Sequence, residues 1–147
     1  MFEVRDSEEN EELGIMYIPL EPLLKLWDPM LDNLWGCGKI SEEDVWSCVD
    51  YALTPANESN FSSYERNVAR IAYFLHHGWE SADVDRHPVS IDLGFDGYTP
   101  NDLVYDGNHR LAAAKLRGDT HILASISGSW EKATQFFKHG VHPDDFQ

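Results

Sequence analysis

A mixed α+β domain, with a small mixed sheet flanked by helices, is the fold class this chain predicts, and three stretches carry that prediction. Val89, Ile91 and Leu93 alternate with Ser90 and Asp92, the period-two pattern of a half-buried strand. Ser62 followed three residues later by Glu65 forms a capping box. Behind it Val68, Ile71, Ala72 and Leu75 recur at i, i+3, i+4 and i+7, one face of a helix. Leu103-Val104-Tyr105, then Asp106-Gly107-Asn108-His109-Arg110, then residues 111–118 read as strand, tight turn and helix. Strands interleaved with helices give the α+β (mixed α/β) class.

In chain order, residues 1–14 are expected to form an acidic arm, with FEVRDSEENEE across residues 2–12. Residues 16–20 (MYIPL) read as a first strand, and residues 21–35 as a helix or broken helix, since Pro29 interrupts it. Cys37-Gly38-Lys39 is a turn. Ser41 with Asp44 three residues on marks a capped start, after which Val45, Trp46, Val49 and Leu53 recur at helical spacing. Residues 54–60 (TPANESN) are a loop, and the capping-box helix then runs to Gly78. After the alternating strand, the turn-rich residues 94–101 (GFDGYTPN) lead into the strand–Gly107–helix segment. Residues 122–127 form another strand. Ser129 opens a final helix with Trp130, Ala133, Phe136 and Phe137 as its apolar stripe. The domain so drawn spans residues 15–140, with an acidic tail at 141–147.

The chain's 147 residues suffice for one domain with a sizeable core. No apolar run reaches membrane length and no basic, apolar leader opens the chain, so a soluble cytoplasmic protein with no membrane contact is expected. Cys37 and Cys48 lack CxxC spacing and are read as reduced thiols, with Cys48 on the apolar face of a helix. With 26 acidic against 11 basic residues, the net charge of −15 opposes non-specific binding to duplex DNA. It suits a highly soluble surface, or one that engages a basic protein partner or imitates DNA. Between Asp106 and Arg117 the balance reverses. Arg110, Lys115 and Arg117 face a single aspartate, a cationic island suited to a phosphorylated small molecule.

That island surrounds the richest chemistry in the chain. A helix N-terminus presents orphan N–H groups and the positive end of its dipole, and so attracts phosphate. Gly107 lets the backbone turn sharply and approach a ligand closely, and Arg110 offers a fork of donors. Without a ligand the same residues make an ordinary turn, with Asp106 or Asn108 as N-cap.

DGNHRLAAAKLRGD, with a strand before it and His121-Ile122-Leu123-Ala124 after it, resembles the signature of the ParB/sulfiredoxin superfamily. Sulfiredoxins carry G-C-H-R there, ParB proteins G-E-R-R, and free-serine kinases D-G-x-H-R. Residues 70–79 (RIAYFLHHGW) and Pro88-Val89-Ser90-Ile91 are similar to the family's helix and following strand. The resemblance covers roughly residues 16–128. It implies a nucleoside triphosphate (ATP or CTP), with its Mg²⁺, held by Gly107, Asn108, His109 and Arg110, and His109 is a catalytic candidate. Asn108 stands where sulfiredoxins place a reactive cysteine, which argues against sulfinic-acid reduction. The serine kinases carry a catalytic glutamate a few residues before an arginine, and Glu65 before Arg70 is similar, a general base in that reading and a helix cap in the other. Asp102 and Asp106 flank the motif strand and are candidates to meet the nucleotide's Mg²⁺.

The seven histidines show no HExxH or paired zinc pattern, although His139 and His142 have ligand-like spacing. Trp35, Trp46, Trp79 and Trp130 read as core or pocket walls, because no basic residues interleave with them. Three functions follow as expectations. The first is a stand-alone ParB/sulfiredoxin-like domain that binds a nucleoside triphosphate, with NTPase or small-molecule phosphotransferase activity. The second is an acidic phage- or plasmid-type regulatory or counter-defence protein without catalysis. The third is a ParB-like nuclease, which the acidic surface disfavours.

Overall fold

A computed structural model describes residues 11–48, 58–77, 88–95 and 97–137. Among them lie four strands, β1 (Glu11–Pro19), β2 (Val89–Asp92), β3 (Val104–Asp106) and β4 (His121–Gly128). The helices are α1 (Leu20–Leu26), α2 (Glu42–Ser47), α3 (Ser63–His77), α4 (Asn108–Arg117) and α5 (Trp130–Phe137), with a 3₁₀ turn at Glu58–Asn60. The class is α+β. The chain divides into two compact units that alternate along it: a sheet unit from residues 1–26, 87–107 and 120–147, and a helical unit from 27–86 and 108–119.

The sheet unit has strand order β1-β4-β2-β3. β4 pairs antiparallel with β1 and parallel with β2, and β2 pairs antiparallel with β3, so the sheet is mixed. Along β4 burial alternates residue by residue, and Ile122, Ala124 and Ile126 are fully buried. Their register partners continue the same face: Ile18 beside Ile122, Val89 beside Ala124, Ile91 beside Ile126, and Val104 beside Ile91. Each buried isoleucine contributes about 1.5–3 kcal/mol. A one-residue slip would turn this whole row to the other face, so burial fixes the register.

β1 begins at Glu11, five residues before the first strand expected from sequence. Glu11 and Glu12 pair with Gly128 and Ser127, and the register shifts between Glu12 and Gly14. The backbone hydrogen bonds of β4 recruit this polar stretch, where apolar alternation gave no signal. Residues 1–10 of the arm and the tail at 141–147 lie outside the described residues.

The helical unit is organised by α3. Val68, Ile71, Ala72 and Leu75 are all buried, as the periodicity predicts. They share a core with Met30, Ile40, Val45, Ala112 and Ala113, with Cys48 packed against it from the C-cap of α2. The Ser62 box is closed in both directions: Glu65 N–H donates to Ser62 Oγ (3.1 Å) and Ser62 N–H donates to Glu65 Oε1 (3.0 Å). Ser41 caps α2 through Asp44 N–H. Tyr64 ties that cap to α3, accepting from Ser41 N–H (3.0 Å) and donating to Asp44 Oδ2 (2.6 Å). Burial first, then the bond to Asp44, push the phenol up from its ordinary value of 10.0.

Of the helix or broken helix expected over residues 21–35 the broken form is found: α1 stops at Leu26, before Pro29, because a residue preceding proline is driven out of helical geometry and Asp28 turns the chain instead. One expectation is corrected here. Trp46 is 46% exposed and meets His76 edge-on, since a helix as short as α2 turns only Val45 inward. Val49, Leu53 and Gly78 lie outside the described residues.

Candidate functional site

The strand–turn–helix segment forms as predicted. β3 ends at Asp106, α4 begins at Asn108, and Gly107 between them has φ +89°. A Cβ on Gly107 would stand 2.9 Å from Val89 Cγ1 and 3.0 Å from Val89 Cα. Glycine is therefore required twice, by the dihedral and by the space. The turn leads into the first N–H groups of α4, which lack an intrahelical acceptor.

In the helical unit the three side chains that open α4 are each engaged. Asn108 Oδ1 accepts from the Trp27 indole N–H at 2.8 Å. Neither it nor Asp106 is the cap residue, since α4 starts directly after Gly107. The His109 ring stacks on Trp35 with centroids 4.5 Å apart and planes 12° off parallel. Its Nε2 lies 2.9 Å from Asn67 Oδ1. Asn67 Nδ2 donates to the Ser63 carbonyl (2.9 Å) and to Cys37 Sγ (3.7 Å), so its Oδ1 must accept. His109 Nε2 thus carries a proton and donates it to Asn67 Oδ1. Arg110 sets its guanidinium carbon 4.7 Å from the centre of the Phe74 ring. At that distance the guanidinium charge and the ring attract one another.

The cationic island is corrected by the fold. Lys115 Nζ lies 2.6 Å from Oδ2 of the buried Asp28, and Arg117 lies 3.7 Å from Asp119. Asp28 also accepts from Met30 N–H at 2.9 Å. The aspartate that compensates Lys115 stands far away in sequence, where a local charge count does not reach. Arg110, the third basic side chain of the island, lies against the Phe74 ring.

Glu65 does not join this cluster. It is exposed and lies two positions from Asn67, so the two side chains leave α3 in different directions. Its bonds with Ser62, the backbone N–H first, hold its carboxyl below the ordinary value of 4.5. Asp102 and Asp106 are exposed in the sheet unit. Among the described residues, no group of three or more His, Cys, Asp or Glu side chains is arranged to hold a metal ion. Trp79, His139 and His142 lie outside the described residues.

Sequence reasoning missed Trp27, Asp28, Asn67 and Phe74. A signal existed for Asn67, which precedes Ile71 and Leu75 at i, i+4, i+8 and so places an amide on the buried stripe. Trp27, Asp28 and Phe74 had no such local mark. No family model matches the chain, nor does any curated protein or solved structure. No described helix is long and apolar enough to cross a membrane.

Proposed function

We propose that the chain is a ParB/sulfiredoxin-like domain that binds the phosphates of a nucleoside triphosphate, ATP or CTP, at the N-terminus of α4. The observation that carries this reading is the turn at Gly107, where positive φ and the lack of room for a side chain fix the backbone that opens α4. The stacked ring of His109 and the contact of Arg110 with Phe74 hold that first helical turn, which lowers the cost of ordering it on binding. Mg²⁺ would arrive on the nucleotide and be held chiefly by phosphate oxygens, with Asp106 the nearest carboxylate in sequence. Turnover, as NTPase or small-molecule phosphotransferase, is a further step of the same reading, with Glu65 as the candidate base.

Calorimetric titration with ATP, CTP and GTP in the presence of Mg²⁺ tests the proposal. Arg110→Ala should weaken the binding seen by about 1.5–3 kcal/mol, the scale of a charge-assisted hydrogen bond. A folded Arg110→Ala variant that binds like the wild type, or no binding at millimolar nucleotide, refutes it. The second reading, an acidic interaction protein of phage or plasmid type, is supported by the charge of the sheet unit. Among its described residues Glu11, Glu12, Glu21, Asp92, Asp102, Asp106 and Glu131 face only Lys25 and Lys132.

A further inference from the structure

On the face of the sheet opposite its apolar row, the sheet unit holds a cleft of about 460 Å³. Asp92 and Ser127, register partners on β2 and β4, are half-buried and line its inner part. Both are anchored: Asp92 Oδ1 accepts from Gly94 N–H at 2.9 Å, and Ser127 Oγ donates to the Ile91 carbonyl at 3.2 Å. The outer part is lined by Tyr98, Asp102 and Tyr105. The tyrosines are 44% and 58% exposed. Tyr98 is held by a reciprocal backbone pair with Phe95 (3.0 and 2.9 Å) and by the Phe95 ring, 5.1 Å away between centroids. Among the described residues no lysine or arginine lines the cleft. Asp102 makes no ion pair or hydrogen bond among the described residues.

Two carboxylates and two exposed aromatic rings lining one cleft match one ligand chemistry. An organic cation finds Coulomb attraction in the carboxylates and ring-face attraction in the tyrosines, whereas a neutral or anionic ligand finds neither. The volume exceeds what a bare metal ion fills and accommodates a guanidinium or ammonium head with part of its stem. We propose that this cleft binds the arginine or lysine side chain of a basic peptide. The unit's excess of carboxylates draws such a peptide in, and the cleft gives the attraction a fixed point of contact. The inference uses no residue of α4 and does not require nucleotide binding; of the candidate Mg²⁺ carboxylates it uses Asp102 alone.

The test is fluorescence anisotropy of a labelled hexa-arginine peptide, with hexa-lysine alongside, against the full chain at 0.15 M NaCl. Tyr105→Ala and Asp102→Asn should each raise Kd about fivefold. Tyr105→Phe, which keeps the ring, should restore wild-type affinity. Glu43→Gln, which removes one exposed charge from α2 in the helical unit, should change Kd less than twofold. Circular dichroism checks that each variant is folded. Because Tyr105→Ala leaves the net charge unchanged, its effect cannot come from overall attraction. Absence of binding overturns the proposal. So does equal weakening by Asp102→Asn and Glu43→Gln with no effect of Tyr105→Ala, which would mean diffuse attraction only. Competition by millimolar Mg²⁺ that depends on Asp102 but not on Tyr105 would assign the cleft to a divalent cation and overturn it too.

Discussion

Replacing Gly107 by alanine isolates the feature on which the α4 turn depends, and the protein carries its own control in Gly118. Both glycines have positive φ, +89° and +75°. Holding an L-residue there costs about 1–2 kcal/mol in either case. They differ in their surroundings. Nothing lies within 4 Å of a Cβ on Gly118, whereas one on Gly107 meets Val89 Cγ1 at 2.9 Å and Val89 Cα at 3.0 Å. Val89 cannot retreat: it is buried, its β-branched side chain is stiff at χ1, and its backbone is in register with Ala124. Forcing a methyl into such a site adds about 1–3 kcal/mol. Gly118→Ala should therefore cost about 1 kcal/mol and Gly107→Ala about 3 kcal/mol. At about 2–4 °C per kcal/mol for a chain of this size, the second variant should melt several degrees below the first. Urea unfolding followed by circular dichroism gives both values on one scale. If the two variants agree within 0.5 kcal/mol, about the scatter of neutral substitutions, the steric argument for the turn fails.

Two further predictions concern charges. Asp28→Asn and Lys115→Met should each destabilise by about 2–3 kcal/mol, below the full cost of splitting a buried pair because Lys115 is partly exposed. The double variant should cost less than their sum by about 1–3 kcal/mol, and additivity in urea unfolding would mean the 2.6 Å contact contributes nothing. Glu65 titrates below its ordinary 4.5 when folded, so its contribution is present above that value and is lost as the pH falls through the depressed one. Melting curves from pH 7 to 3 should show a shallower acid decline for Glu65→Gln, with near wild-type stability at pH 7, because glutamine also serves the capping box. Equal slopes would remove the cap from the account. If nucleotide turnover is measured, the same variant should lose about 10²–10⁴ in rate where Glu65 is the base, and turnover that survives excludes that role.

Local pattern made much of the fold legible. The Ser62–Glu65 box, the stripe from Val68 to Leu75, the alternation through residues 122–127 and the Gly107 turn each involve neighbours within one or two turns of chain. What stayed hidden is long-range. Trp27 reaches Asn108, Asp28 reaches Lys115, and Asn67 reaches His109 across separations of 81, 87 and 42 residues. Such pairs leave no periodic trace, and each redefines a motif residue: Asn108 is a partner for Trp27, Lys115 is compensated, and the proton on His109 is assigned. Trp46 shows the opposite limit, an apolar residue at helical spacing whose helix is too short to turn it inward.

The place of β4 in the sheet also bears on how the chain comes off the ribosome. β4 is the neighbour of both β1 and β2, yet it is the last of the four strands to be made. From the end of β1 at Pro19 to the start of β4 at His121, synthesis at about 5–20 residues per second leaves β1 waiting for roughly five to twenty seconds. Throughout that interval the backbone of β1 lacks the strand it pairs with, and Ile18 lacks its register partner Ile122. Formation of the sheet is therefore a late event that closes a long loop, the kind of step that makes folding slow and open to interception by chaperones.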